Sequence, residues 1–348
     1  MNKKVVLVTG GAGYIGSHTV VALQKKGYKA IVVDNLSNSQ ASVIDNIGKI
    51  TGEKPDFFPF DLANQAETFT FFDRQPVDAV IHFAAHKYVG ESVNEPLRYY
   101  NNNFVSTLNI LQAMEKQGIN HFVFSSSCTV YGQADLLPVT EQTPVKPAQC
   151  PYGNTKQVTE EILRDICLAN SNFHVIALRY FNPIGAHQSA LIGELPVGVP
   201  QNLLPYITQT AIGIREQLQV FGNDYNTKDG TCLRDYIHVE DLAEAHIAAL
   251  DRMLTKNNAD NYEVFNIGTG NPYSVMEVIQ SFEKVSGRKL PYKIVGRRAG
   301  DIEKVWADTT LANTVLGWKA KKTLDEMTLS AWKWELNLRN KEEVGYEK

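Results

Sequence analysis

The chain has 348 residues, 43% of them hydrophobic, and its 34 Lys and Arg against 38 Asp and Glu leave a net charge of −4. That length can bury a large core and hold two domains, and the slight acidity argues against nucleic acid or an anionic membrane as the main partner. No apolar stretch approaches the roughly 20 residues needed to span a bilayer. A strand begins by Val5, so no secretory leader is expected. The scattered Cys128, Cys150, Cys167 and Cys232 form no C-x-x-C pair, so free thiols in a reducing cytosol are expected.

Val5-Val6-Leu7-Val8 is an uninterrupted apolar run, as in a parallel strand buried on both faces. Gly10, Gly13 and Gly16 follow within Thr9-Gly10-Gly11-Ala12-Gly13-Tyr14-Ile15-Gly16. Helical spacing through Val20, Val21 and Leu23 then runs to Gly27. A second strand, Ala30–Val33, ends in Asp34. Strand, glycine turn, helix, strand and acid form the context of a dinucleotide site. Gly10 permits the tight turn, Gly13 admits a pyrophosphate to backbone N–H groups, and Gly16 lets the helix pack closely. The helix N-terminus favours the diphosphate charge. Asp34 suits the adenosine ribose hydroxyls and repels a 2′-phosphate, and no Arg or Lys follows in Asn35-Leu36-Ser37-Asn38, so NAD is expected over NADP.

Further strands are predicted at Asp56–Pro59, Ala79–Phe83, His121–Ser125 and Val175–Tyr180, with helices between them. The fold class is α/β: a doubly wound parallel sheet of Rossmann type, with a smaller discontinuous α+β substrate domain. Gly185 to Leu204 reads as a long functional loop, and Val264–Ile267 as a strand rejoining the sheet. The expected division is 1–182 plus about 235–269 for the cofactor domain, and about 183–234 plus 270–348 for the substrate domain. Arg339 to Lys348 reads as a frayed charged tail. His82 and His86 have a metal-ligand spacing but fall at a strand end and in a loop with no third ligand, so no metal is expected.

Val123-Phe124-Ser125-Ser126-Ser127 and Tyr152-Gly153-Asn154-Thr155-Lys156 carry the chemistry. Tyr152 and Lys156 are four apart on a helix and share a face. A nearby ammonium pulls a phenol below its usual pKa of about 10, making it a proton acceptor near neutral pH. A serine at the strand end can reach the same reacting oxygen.

The G-x-x-G-x-x-G spacing with Ser127, Tyr152 and Lys156 resembles the extended branch of the short-chain dehydrogenase/reductase superfamily. Further segments recur in order: Asp34-Asn35-Leu36, His82-Phe83-Ala84-Ala85, Lys87, Ser125 to Gly132, Pro151 to Lys156, Leu178 to Pro183 and Arg234 to Val239. Together they resemble the UDP-glucose (UDP-galactose) 4-epimerase family from about residue 4 to about residue 338. The resemblance implies reversible epimerisation of UDP-glucose and UDP-galactose at C4, by transient hydride transfer to tightly bound NAD through a 4-keto sugar. Tyr152 would take the hydroxyl proton, Lys156 would depress its pKa and hold the nicotinamide ribose, and Ser127 would hydrogen-bond the sugar oxygen.

Carried over as cofactor contacts are Tyr14, Ile15, Asp34, Asn35, Asp61, Leu62, Phe83, Lys87 and Asn102. Asn182, Asn202, Leu203, Phe221, Asp301 and the diphosphate-binding Arg234 and Arg298 are carried over as substrate contacts. Val305 stands where hexose-only bacterial members carry a bulky tyrosine, which extends the expectation to UDP-N-acetylhexosamines. A homodimer through the helices at Leu97–Met114 and Gly153–Asn170 is implied by resemblance alone. Rival readings are a hexuronate 4-epimerase, a 4,6-dehydratase and a non-catalytic NAD sensor. The dehydratases place an Asp-Glu pair where this chain has Cys128 and Thr129, and a sensor would lack the reactive triad.

Overall fold

The computed structural model describes residues 3–298 and 301–345, with side chains as far as residue 340. The chain opens with β1 (Val5–Thr9), α1 (Tyr14–Lys26), β2 (Lys29–Val33), α2 (Ser42–Thr51), β3 (Asp56–Phe58), α3 (Gln65–Arg74) and β4 (Ala79–His82). It continues with α4 (Val89–Asn94), α5 (Pro96–Gln117), β5 (His121–Ser125), a 3-10 turn over Cys128–Tyr131, α6 (Pro151–Ala169), β6 (His174–Tyr180) and β7 (Asn182–Ile184). Then come α7 (Leu203–Ala211), β8 (Leu218–Phe221), β9 (Leu233–His238), α8 (Val239–Leu254), β10 (Tyr262–Ile267) and β11 (Pro272–Ser274). The last elements are α9 (Val275–Ser286), β12 (Tyr292–Val295), β13 (Lys304–Val305), α10 (Thr310–Thr314) and α11 (Leu324–Gly345).

Seven strands make one parallel sheet in the order β10-β6-β5-β4-β1-β2-β3. The apolar runs that predict these strands are buried because helices cover both faces. One face packs Val6, Val8, Val20 and Leu23 with Leu242 and Leu250 of α8, and the other packs Leu7, Val80 and Phe122 with Ile110 and Met114 of α5. Chain order reverses between β1 and β4, and a crevice opens there beyond the strands' carboxyl ends.

The expected strands are present with shifted ends; β10 starts at Tyr262, two residues before the apolar signal at Val264. Between β7 and α7 the long loop holds only an isolated bridge, Ala186 to Gly193. A smaller sheet joins β7, β9, β11 and β13, while β8 pairs with β12. These short strands lack the long apolar runs that mark the main sheet.

One expectation is corrected. The charged tail does not fray from Arg339: α11 continues to Gly345, and the Arg339 guanidinium bonds the Glu335 carboxylate one turn earlier at 2.8 Å. Residues 346–348 lie outside the described residues.

Candidate active site

The N-terminus of α1 faces the crevice. Gly10 has φ +67°, its N–H bonds Val33 O at 2.8 Å, and Gly13 caps α1 without a side-chain acceptor. A Cβ on Gly16 would lie 2.2 Å from Gly10 O, so only glycine lets the helix meet the turn. The result is a backbone cradle at the positive end of a helix, which fits a dinucleotide diphosphate. Asp34, at the end of β2, accepts from Ala12 N at 3.1 Å, Leu36 N at 2.9 Å and Ser39 Oγ at 2.8 Å, which aims the carboxylate into the cleft.

The cleft holds about 370 Å³. Its walls include every residue carried over as a cofactor contact: Tyr14, Ile15, Asp34, Asn35, Asp61, Leu62, Phe83, Lys87 and Asn102, with Gly10, Gly13 and Gly16 at its floor. Asn35 Nδ2 donates to Asp61 Oδ2 at 3.2 Å, and Tyr14 Oη donates to Gly185 O at 2.7 Å. Phe83 packs on His246 with ring centres 4.6 Å apart. His82 spends both ring nitrogens within the fold, on Thr9 Oγ1 at 2.7 Å and Thr107 Oγ1 at 3.0 Å.

Tyr152 and Lys156 line the far end of this cleft, next to Ser125 and Tyr180. Pro151 opens α6, and the Gly153 N–H donates to Cys150 Sγ at the cap, which turns Tyr152 inward. Lys156 Nζ donates to Ser125 O at 2.7 Å and stands 6.0 Å from the Tyr152 ring centre. Ser127 caps the 3-10 turn by accepting from Thr129 N at 3.2 Å. The triad is therefore assembled on one helix face and one strand end.

Burial of the pair works against the effect expected from sequence spacing. Within the protein, burial and then the neighbouring Tyr180 push the Tyr152 phenol up, while the nearby Ser127 hydroxyl pulls the other way. Burial also draws the Lys156 ammonium down to about 7. Sequence spacing gives the proximity of a cation but not the desolvation of both partners, and here desolvation dominates.

The residues carried over as substrate contacts fall into two groups. In the first, Asp301 takes the Arg298 guanidinium at 2.7 Å and lies 3.9 Å from that of Arg234. Phe221 lies under Arg298 at 5.6 Å, and β13 sets Val305 in register with Arg234 of β9. Val305 is buried beside Val130, Tyr131, Phe181 and Ala307, and β7 sets Asn182 opposite Tyr236 of β9. The second group stands at the head of α7. Asn202 Nδ2 donates to Glu194 Oε1 at 2.6 Å, and Leu203 packs toward the α7–α11 core.

Sequence reasoning misses Glu194, Tyr180 and Ser125. Glu194 pairs with Lys87 at 3.5 Å and with Asn202, and so joins a residue carried over as a cofactor contact to one carried over as a substrate contact. It sits in a loop with no periodicity, so no signal marks it. The run Ser125-Ser126-Ser127 could have flagged Ser125, whose Oγ meets Tyr180 Oη at 2.6 Å. At the places where dehydratases hold their acid and base, the Cys128 thiol is pushed up by burial to about 12, and Thr129 Oγ1 is buried without a partner among the described residues. Neither group can exchange a proton near neutral pH.

A family model described as GDP-mannose 4,6 dehydratase matches residues 7–330, which places the chain in that broad family. UDP-glucose 4-epimerase of Bacillus subtilis is 52% identical over 330 residues, covering 95% of this chain and 96% of that protein. The crystal structure of UDP-glucose-4-epimerase from Stenotrophomonas maltophila, with bound NAD and formylated UDP-arabinopyranose, superposes with a TM-score of 0.94 at 47% identity, covering 97% of this chain and 99% of that one. That of UDP-glucose 4-epimerase from Bifidobacterium longum, with NAD+ and UDP, gives 0.93 at 45% identity, again covering 97% and 99%. With the dehydratase acid and base replaced and the Tyr–Lys–Ser set in place, the chain belongs, within that broad family, to the UDP-glucose 4-epimerases of the extended short-chain dehydrogenase/reductase superfamily.

Proposed function

We propose that the protein interconverts UDP-glucose and UDP-galactose at C4 of the hexose, using NAD held in the cleft between β1 and β4. The supporting observation is the continuity of that cleft from the glycine cradle to Tyr152 and Lys156. Gly10, Gly13 and Gly16 would admit the diphosphate, Asp34 the adenosine ribose, and Asp61 the adenine. Bound there, NAD accepts and returns a hydride and adds fixed positive charge near the phenol.

The chain's own groups handle the proton. Tyr152 takes it from the C4 hydroxyl and returns it after the sugar turns over. Lys156 supplies cationic field at the phenol, offsetting the burial that pushes Tyr152 up. Ser127 holds the sugar oxygen in line. Arg234 and Arg298 grip the substrate diphosphate, sharing the charge they now give to Asp301. Asn182, Asn202, Leu203 and Phe221 complete the uridine and sugar contacts.

The same reading extends to UDP-N-acetylglucosamine and UDP-N-acetylgalactosamine, because the Val305 side chain is smaller than the tyrosine of the hexose-only members. It also takes residues 1–182 with about 235–269 as the cofactor domain and the remainder as the substrate domain; β10 in the main sheet and β8, β11, β12 and β13 outside it support that division, while β9, which straddles its boundary at 235, pairs in the smaller sheet. Pairing of two copies through α5 and α6 is supported by exposed Leu97, Leu108 and Leu168. A cytosolic setting is supported by four free cysteines. No helix among the described residues is long and apolar enough to cross a membrane.

The test is turnover of UDP-galactose by the purified protein beside Tyr152→Phe. The wild type is expected to be active, and the variant to keep its nucleotide but lose at least about a thousandfold in kcat. Near-wild-type turnover by the variant refutes the mechanism.

A further inference from the structure

Ser125, Ser126 and Ser127 leave β5 in sequence, and each meets a different residue of α6. Ser125 O accepts from Lys156 Nζ at 2.7 Å, Ser126 Oγ donates to Glu160 Oε1 at 2.5 Å, and Ser127 adjoins the Tyr152 phenol. Tyr152, Lys156 and Glu160 recur every four residues, so they stack along one helix face, and all three are buried. The first two have roles in the reaction. Glu160 has none so far.

Its carboxylate is also held from β6, where Arg179 Nη2 donates to Oε2 at 2.5 Å and Nε to Oε1 at 2.9 Å. Stability alone does not call for this charge. A buried ion pair loses solvation, and apolar side chains of the same size often serve the fold as well. A neutral amide oxygen could equally accept the Ser126 hydroxyl. What the charge does is visible one turn back along α6. Lys156 is desolvated, which lowers its proton affinity, and Glu160 is the group that raises it again.

We propose that Glu160 is a positioning residue for epimerisation, fastening the serine run to the catalytic helix and keeping Lys156 cationic beside Tyr152. This rests on the assignment of Tyr152, Lys156 and Ser127 as the reacting set. The titratable neighbours leave Lys156 as the group that responds. His82, facing it from β4, is held neutral by burial with its pKa drawn down to about 3. Tyr180 and Cys128, which face Tyr152 along with Cys150, are both pushed up to about 12 by burial. Against Glu160 itself stand Arg179, held charged, and Tyr262, whose phenol burial pushes up.

The experiment compares holoenzyme with Glu160→Gln and with the double variant Glu160→Met/Arg179→Met. The double variant replaces the pair by apolar residues and is expected to fold even if an unpaired Arg179 unfolds the single one. Two readouts are taken: the pH profile of kcat with UDP-galactose, and the ultraviolet difference titration of tyrosinate with that of Tyr152→Phe subtracted. The alkaline limb is expected to fall by about one pH unit, a tenfold loss of kcat above the limb, with KM within about twofold. The Tyr152 transition is expected to move upward. Ser126→Ala, which keeps the carboxylate, is expected to lower kcat several-fold with the limb unmoved.

A limb and a tyrosinate transition that coincide with wild type in both Glu160 variants overturn the charge role, whatever happens to stability. Wild-type kcat in Ser126→Ala overturns the fastening role. If wild type itself fails to turn over UDP-galactose, the functional reading falls and takes this proposal with it. An active wild type, a dead Tyr152→Phe and unmoved profiles discard this inference alone.

Discussion

Replacing Gly16 by alanine should cost the protein its cofactor before it costs the fold. The added Cβ would stand 2.2 Å from Gly10 O and 2.8 Å from Gly11 Cα, both backbone atoms that cannot rotate aside. An ordinary heavy-atom contact is roughly 3.5 Å, so turn and helix must part by about 1 Å. Overpacking of this kind costs about 1–3 kcal/mol. Alanine's better helix propensity returns up to about 1 kcal/mol of it. Net destabilisation is therefore small, but a displacement of about 1 Å in a cradle built to meet a diphosphate can cost about a hundredfold in function. Gly90→Ala is the control: it also lies in a helix, has nothing within 4 Å of the new Cβ, and should be neutral or gain up to about 1 kcal/mol. Nucleotide content after purification and thermal unfolding with and without added NAD read both effects. Gly16→Ala retaining a full complement of dinucleotide would refute the packing argument.

Acid should unfold the protein earlier than its carboxylates alone would require. Burial holds His18 and His82 at about 3 and His187, His238 and His246 at about 4. The unfolded chain binds these protons below about 6.5, so stability present above that pH is lost as pH falls toward 4, by up to about 1.4 kcal/mol per pH unit for each ring. Near-ultraviolet circular dichroism should show tertiary structure gone before pH 4, and a native spectrum there contradicts the assignment. Lys156→Met should be inactive yet more stable than wild type at pH 7. The buried ammonium titrates at about 7 in the fold and near 10.5 unfolded, so its cost is full below 7 and disappears as pH rises to 10.5; urea unfolding at pH 7 and pH 9.5 should show the gap closing. Val305→Tyr should cut kcat/KM for UDP-N-acetylglucosamine at least about tenfold while UDP-galactose turnover persists, and equal losses on both sugars would count against Val305 as the wall of the sugar pocket.

The main sheet is legible in the sequence because its central strands are apolar runs buried on both sides, and the glycine turn is legible because its spacing has a steric cause. Gly16 against Gly10 O is that cause measured. The Tyr152–Lys156 face follows from helical period alone. The charge state of that pair does not, since it depends on how much of the fold closes over both groups. Glu194 is equally hidden. Its loop is fixed from afar, by the Trp334 indole donating to Glu194 O at 2.9 Å and by the same ring packing where a Gly193 side chain would stand. The small sheet escapes notice because Lys304–Val305 is too short to show a period, and its place is set by pairing with Leu233 and Arg234.

That two-residue strand has a consequence for how substrate choice can change. Because backbone pairing sets Val305 beside Arg234, the residue proposed to wall the sugar and the residue proposed to hold the diphosphate stand on neighbouring strands. On the proposed function, a new side chain at 305 would resize the sugar's room without shifting the diphosphate's handle. Tolerance for bulkier hexoses would then drift by single substitutions while the reacting carbon kept its distance from the phenol.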